Sequence, residues 1–324
     1  MDKGKFFIVS IRRLLYLQPA LPYTVQIEIT NECNLNCRMC PRTDLKVPIK
    51  SMRLNTYKKI VNKLTGVNEL ILTGWGEPLF HRQIIEMVKY AKKKGFRVRL
   101  TTNGTLLTKT LQDELLNSGI DEITFSVDEV RKSKKGLGHQ LIKQLENIKS
   151  FLRKRKGKKP RVTLQSTVHK GKEKNIFDII SFASKIGAER VNLMRLDIRF
   201  QKLARPTVKE EKKLLKEAEK LGKKLGVQVD FLPHTALTGF PRRIYRHLAQ
   251  FLYRFGQYCP KTFGYLYINV DGQATPCCSL PLYEIGNILN KDLLTIWEGE
   301  RLNYFRRNQQ SVCGKCDILS FREQ

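Results

Sequence analysis

Acidic side chains are scarce in this chain. Its 324 residues carry 30 Asp and Glu against 60 Lys and Arg, a formal charge of +30. A field of that sign attracts polyanions such as RNA, anionic lipid headgroups or phosphorylated substrates. The competing reading is a solvated lysine-rich surface, although thermophilic lysine enrichment ordinarily comes with glutamate. Long apolar runs are also missing. Nothing approaches the ~20 residues that a bilayer-crossing helix needs, and the apolar stretch Phe6–Leu17 is broken by Ser10, Arg12 and Arg13. No small-residue cleavage site follows it, so a signal peptide is excluded and the cytoplasm is the expected compartment. Cysteine is absent between Cys40 and Cys259, which excludes the disulfide framework of a small secreted domain. Solenoid repeats are absent, and the one low-complexity tract is the basic run Arg153–Lys159.

What is present is a folded composition, 41% hydrophobic, long enough for a barrel-sized domain with an appendage. Short β-rich runs alternate with helical patterns. The expected strands are Thr24–Thr30, Glu69–Thr73, Arg97–Thr101, Glu122–Val127, Val162–Val168, Arg190–Met194 and Gln228–Phe231. Between them, Ile84–Lys94, Leu141–Leu152 and Ile176–Ile186 place apolar residues at helical spacing. Strand–helix alternation implies parallel strands joined by crossovers, hence an α/β fold: a partial (β/α)6-type TIM-like barrel over residues 24–239. Residues 1–23 form an N-terminal extension. Residues 240–258 predict a basic amphipathic connecting helix, with Ile244, Leu248, Phe251, Leu252 and Phe255 on one face and Arg242, Arg243, Arg246 and Arg254 largely off it. Such a helix either lies on a membrane surface or packs on its own core. Residues 259–324 form a small cysteine-rich α+β module. It opens with a β-hairpin, Tyr265–Val270 and Gln273–Pro276 around Asp271-Gly272, followed by helical sequence at Leu293–Arg307.

Just after the first strand, Cys33, Cys37 and Cys40 fall within eight residues, with no histidine nearby. Soft thiolates suit zinc or iron–sulfur clusters. A closed zinc site wants a fourth ligand, whereas a cluster that leaves one iron open to an exogenous ligand needs three. The CxxxCxxC spacing after the first strand of a β/α barrel resembles the radical SAM superfamily. That resemblance implies a 4Fe–4S cluster whose open iron chelates S-adenosyl-L-methionine (SAM), reductive cleavage to a 5′-deoxyadenosyl radical, and hydrogen abstraction from a substrate. It also implies that Met39, before the third cysteine, packs near adenine.

The strand ends carry further matches. Thr73-Gly74-Trp75-Gly76-Glu77 resembles the family's GGE motif, with Trp75 separating the glycines, and implies that Gly74, Gly76 and Glu77 bind the methionine amino group. Asn103 lies in a TNG ending, and Ser126-Val127-Asp128 resembles the family's SxD ending, although Glu129 stands where relatives often have glycine. Gln165 or Ser166, where relatives often have asparagine, would contact the ribose or carboxylate. Each of these strand-end polar residues has a helix-capping alternative. In a barrel, Lys92–Lys94 and Arg153–Lys159 precede strands and belong to the face away from catalysis, while Arg131–Lys135 and Arg195–Arg205 follow strands and rim the mouth. Arg195, Arg199, Lys202 and Arg205 there favour an anionic substrate, with Arg195 and Arg199 as its ligands; plain surface charge is the alternative.

Cys259, Cys277, Cys313 and Cys316 make a complete four-thiolate set, with Cys278 left over. On spacing alone, zinc and a 4Fe–4S cluster suit it equally. The text around these cysteines, from Cys259-Pro260 through Asp271-Gly272 and Cys277-Cys278 to Cys313-x-x-Cys316, resembles the SPASM or Twitch extension of radical SAM enzymes. The further cysteines of the two-cluster form are missing, which implies one auxiliary 4Fe–4S cluster serving electron transfer. The expected protein is a radical SAM oxidoreductase or related radical-transfer enzyme. Its expected partners are a reductant such as ferredoxin or flavodoxin and an anionic small-molecule, lipid-headgroup, peptide or RNA substrate, with peripheral contact at the inner membrane surface through the two basic amphipathic stretches. The reading from another class is a basic nucleic-acid-binding protein with structural zinc, which leaves the three-thiolate site and the glycine strand ends without purpose.

Overall fold

A computed structural model of the chain describes residues 20–45, 47–130, 138–157, 159–197, 203–232, 264–313 and 316. The N-terminal stretch Phe6–Leu17, the basic segments Arg131–Lys135 and 240–258, and Cys259, Arg199 and Lys202 lie outside these residues. Seven parallel strands succeed one another: β1 (Thr24–Ile27), β2 (Glu69–Leu72), β3 (Arg97–Thr102), β4 (Glu122–Ser126), β5 (Arg161–Val168), β6 (Arg190–Arg195) and β7 (Gln228–Leu232). The connections carry helices α1 (Leu54–Asn62), α2 (Ile84–Lys93), α3 (Lys109–Asn117), α4 (His139–Lys154), α5 (Glu173–Ile186) and α6 (Val208–Leu225). Each strand sits beside its sequence neighbour, and β7 does not pair with β1, so the barrel is partial.

The period-2 alternation of the strands separates two faces. Val25 and Ile27, Leu70 and Leu72, Val98 and Leu100, Ile123 and Phe125, Val162 and Leu164, and Val191 and Leu193 are buried in one core with the apolar stripes of the helices. Phe125 meets Phe151 of α4 edge to face, with ring centroids 5.8 Å apart. Each such fully buried side chain contributes ~1.5–3 kcal/mol relative to exposure. The opposite face is polar. Near the strand starts Arg97 pairs with Glu122 (2.8 Å) and Glu69 (3.2 Å), Arg99 pairs with Glu122 (3.2 Å), and Arg190 pairs with Asp230 (3.1 Å). Ion pairs therefore occupy positions where a closed TIM barrel stacks branched aliphatic layers.

The hairpin of the cysteine-rich module does not form a sheet of its own. Strand β8 (Tyr265–Ile268) pairs in parallel with β1, Thr24 opposite Tyr265 and Ile27 opposite Ile268. Strands β9 (Gln273–Thr275) and β10 (Gly286–Asn287) follow antiparallel, giving one ten-stranded sheet ordered β10-β9-β8-β1-β2-β3-β4-β5-β6-β7. Strand β8 thus covers the β1 edge, which would otherwise present unpaired backbone groups. The helical sequence expected at Leu293–Arg307 divides into α7 (Leu293–Trp297) and α8 (Glu300–Arg307), separated at Glu298-Gly299 and followed by α9 (Gln309–Cys313). Gly299 supplies the extended N-cap that restarts the chain. No helix among the described residues is long and apolar enough to cross a membrane.

Candidate functional site

Because β1 to β6 run in parallel, the segments that follow them meet at one end of the sheet. The loop after β1 carries Cys33, Cys37 and Cys40. Its entry is fixed by Asn31, whose Nδ2 donates to Pro48 O (2.8 Å) and whose Oδ1 accepts from Lys50 N (2.7 Å). Thr30 and Ser51 hydroxyls share a 2.8 Å bond beside it. Within the loop, Cys40 N donates to Cys37 O (3.0 Å) and Leu35 N approaches Cys33 Sγ at 3.4 Å. Cys37 is exposed as a residue, yet partial desolvation of its thiol pushes it up to about 11, with the Asp128 carboxylate and the other two cysteines adding to the effect. Cys33 and Cys40 are raised too, again chiefly by burial. Arg42 opposes the rise at all three while its Nη2 donates to Leu35 O (3.2 Å).

Strand-end residues brace this loop. Glu77 N donates to Glu32 O (2.8 Å), and the buried Glu77 carboxylate accepts from Leu79 N (2.9 Å), Thr102 Oγ1 (2.6 Å) and Asn103 N (2.7 Å). Asn103 Nδ2 reaches Asn34 Oδ1 in the cysteine loop (3.0 Å), and Asn34 in turn donates to Thr105 Oγ1 (2.8 Å). Gln144 of α4 donates to the carbonyls of both Asn103 and Ser126. The glycines of the second strand end serve the same bracing. A Cβ on Gly76 would lie 2.5 Å from the carbonyl oxygens of Thr30 and Glu32, and one on Gly74 would fall on the side chain of Glu28. Both glycines make room for the chain's own first strand and cysteine loop.

The remaining candidates separate by face. Ser126 and Gln165 are register partners on β4 and β5, both half-buried, with Asn192 beyond them on β6. Ser166 is on the opposite face from Gln165, and its hydroxyl donates to Asp128 Oδ1 (3.2 Å), which Thr167 N also reaches (2.9 Å). Met39 is half-buried beside Cys40. Arg195 departs from its expected role. It shares the helix-covered face with Val191 and Leu193, and its Nε sits 2.9 Å from Glu211 of α6, with side chains 1% and 0% exposed. It is a buried ion-pair partner and not an exposed cation at the mouth. Glu28, Asn34, Thr102 and Gln144 were not singled out in the sequence; Glu28 stands two residues before Thr30 in a strand whose alternation makes it face the polar side.

The family model of the radical SAM superfamily matches residues 27–183, and that of an iron–sulfur cluster-binding domain, SPASM, matches residues 259–317. The chain belongs to the radical SAM superfamily. It is 25% identical to a tungsten-containing aldehyde ferredoxin oxidoreductase cofactor-modifying protein of Pyrococcus furiosus, over 86% of this chain and 82% of that one. It is 24% identical to the AdoMet-dependent heme synthase of Methanosarcina barkeri, over 93% and 89%. Among solved structures, Streptococcus suis SuiB bound to S-adenosylmethionine superposes with a TM-score of 0.71 at 18% identity, covering 93% of this chain and 72% of that one. That likeness concerns the fold.

Membership brings a SAM-binding 4Fe–4S cluster and SPASM-type auxiliary iron–sulfur binding, and the donor set fits both. Three thiols whose ionisation is held back chiefly by desolvation, with neighbouring cysteines adding to it at Cys33 and Cys37, are relieved by iron, which binds the thiolate and supplies positive charge. Among the described residues no three Cys, His, Asp or Glu side chains converge on a single ion, and a cubane does not ask for that, since each thiolate binds its own iron. In the SPASM module Cys277 Sγ lies 3.4 Å from Ser279 N, and Cys316 N donates to Cys313 O (3.1 Å), the turn expected of a CxxC pair. Cys259 lies outside the described residues.

Proposed function

We propose that this radical SAM enzyme abstracts hydrogen from an anionic small molecule, with one auxiliary 4Fe–4S cluster on Cys259, Cys277, Cys313 and Cys316 aiding electron transfer. The observation that carries the reading is the braced loop of Cys33, Cys37 and Cys40, with the strand-end network of Asn34, Glu77 and Asn103 behind it. When bound and reduced, the cluster supplies the electron that splits SAM into methionine and a 5′-deoxyadenosyl radical, which takes hydrogen from the substrate.

The chain's own residues bind and orient. Gly74 and Gly76 form the strand end that receives the methionine portion, and Ser126 and Gln165, on one rung of the polar face, lie where the ribose and carboxylate would be held. Asp128, fixed by Ser166 and Thr167, positions the turn after β4 next to Cys37. Glu77 organises the strand end through its three donors, Leu79 N, Thr102 Oγ1 and Asn103 N. Met39 packs against adenine. An anionic substrate accords with the +30 charge and with a probable GTP 3′,8-cyclase of Pyrococcus abyssi, named for a triphosphate substrate, which is 34% identical over 51% of this chain and 54% of its own. A small acidic redox protein of the ferredoxin or flavodoxin kind would be the reductant.

Anaerobic reconstitution tests this. The protein should bind about eight irons, two cubanes, and release 5′-deoxyadenosine from SAM under reduction, while Cys37→Ala releases none. Persistent 5′-deoxyadenosine formation by Cys37→Ala would refute the assignment. Deuterium transfer into 5′-deoxyadenosine from labelled nucleotides, but not from labelled peptides, is the expected substrate result; the reverse outcome replaces the anionic small molecule with a peptide.

A further inference from the structure

Two side-chain relays cross from β8 through β1 to the end of β2. In the first, the Tyr265 hydroxyl donates to Gln26 Oε1, and Gln26 Nε2 donates to Thr73 O (2.8 Å). In the second, the Tyr267 hydroxyl lies beside the Glu28 carboxylate, outside good hydrogen-bond geometry, and Glu28 Oε1 accepts from Trp75 N (2.8 Å). The two relays end on the residues either side of Gly74, and a Cβ at Gly74 would collide with Glu28 itself. Both begin on the strand that the C-terminal module lays against the barrel.

We infer that the C-terminal module positions the Gly74–Gly76 strand end through Gln26 and Glu28, which act as positioning residues for SAM binding. The inference rests on the reading of that strand end as part of the SAM pocket. The physical reason is that a strand end beyond the last ladder bond is held by whatever its free carbonyl and amide find. Here Thr73 O finds Gln26 of β1 and Trp75 N finds Glu28, the residue just after β1, and tyrosines of β8 stand behind both. Glu28 is nearly fully buried, so its geometry is fixed by packing and the bond is not exchanged with water. The C-terminal module and the proposed SAM-binding strand end are thereby mechanically linked without any shared ligand.

The test is equilibrium binding of S-adenosylhomocysteine, which is not cleaved, to the reconstituted protein by calorimetry. Glu28→Ala should bind roughly tenfold more weakly, equivalent to about 1.4 kcal/mol for one lost buried hydrogen bond. Glu28→Gln keeps the acceptor oxygen and should stay within about threefold of wild type. Acrylamide quenching supplies an activity-independent readout: Trp297 is fully buried while Trp75 is half-buried, so added quenching in Glu28→Ala reports release of Trp75. The double variant Tyr265→Phe/Tyr267→Phe leaves every cysteine in place and should weaken binding by at least roughly threefold. Should Glu28→Ala fail to fold, Gln26→Ala severs the first relay at a half-buried position, with the same expectation. Wild-type binding and quenching in the folded variants overturn the inference, as does Glu28→Gln behaving like Glu28→Ala. Failure of the wild-type protein to bind S-adenosylhomocysteine would instead sink the proposed function.

Discussion

Gly76→Ala is the sharpest single perturbation of the cysteine loop. The added Cβ would stand 2.5 Å from Thr30 O, 2.5 Å from Glu32 O and 2.7 Å from Asn31 C, all backbone atoms. A comfortable contact needs about 3.4 Å, so the loop must move by close to 1 Å. It cannot do so freely. Asn31 is bonded to Pro48 and Lys50, Thr30 to Ser51, and Glu32 O to Glu77 N. Overpacking against a fixed neighbour costs roughly 1–3 kcal/mol, and a shift of that size at a reacting centre can lower the rate by roughly 10²-fold. Expected, then, are a lower urea midpoint and SAM cleavage reduced by about two orders of magnitude, with Cys33, Cys37 and Cys40 all intact. The control is Gly95→Ala: Gly95 has a φ of +87° but nothing within 4 Å of its built Cβ. It should show only backbone strain of roughly 1–2 kcal/mol and unchanged SAM cleavage. Full iron, unaltered stability and wild-type cleavage in Gly76→Ala would refute the claim that this glycine exists to let the cysteine loop pass.

Two further expectations concern buried charge. Arg195→Ala removes the guanidinium from beside the buried Glu211 carboxylate and should lower stability by about 3–5 kcal/mol, whereas Arg195→Met with Glu211→Leu should be close to neutral. Urea unfolding separates the two, and wild-type turnover in the double variant would confirm that the pair holds α6 and not the substrate. Glu28 titrates above the ordinary carboxylate value of 4.5, chiefly through burial. Its raised folded-state value means that its favourable contribution is full below about 4.5 and is lost as pH rises through the folded value. Glu28→Gln, neutral at every pH, should therefore gain stability over wild type as pH rises from the ordinary carboxylate value, read from urea midpoints at about pH 4.5 and about pH 8.5. A gap that does not change with pH would show that Glu28 carries no such penalty.

Strand order was legible because alternation of β-rich and helical segments admits few topologies, and the observed β1 to β7 lie within a residue or two of their expected ends, except that β1 closes at Ile27. The cysteine loop was legible because its ligands are close in sequence. Arg195 was misplaced because a strand-end arginine looks the same on either face until the register is known; alternation with Val191 and Leu193 put it under α6. The glycines were found from their type and place at a strand end, with the neighbours they make room for still unknown. Sequence marks where backbone comes close to something, and the structure says that the something is Glu28 and the loop at residues 30–32. Glu28 itself gave no signal, since its partners lie 47 and 239 residues away in Trp75 and Tyr267.

The chain's sequence by itself pointed to the chemistry: three thiols at the spacing of the radical SAM superfamily, and a second cysteine set that suits zinc or an auxiliary cluster equally on spacing alone. Such information is local, carried by side-chain type and spacing over a few residues. What only the tertiary structure decided is how the parts hold one another. The seam of β8 on β1, the relays to Thr73 and Trp75, and the Asn34–Asn103–Glu77 brace all join residues far apart along the chain. Hydrogen bonds of 3 Å and the faces of strands exist only once the sheet is registered, and no composition or period specifies them in advance.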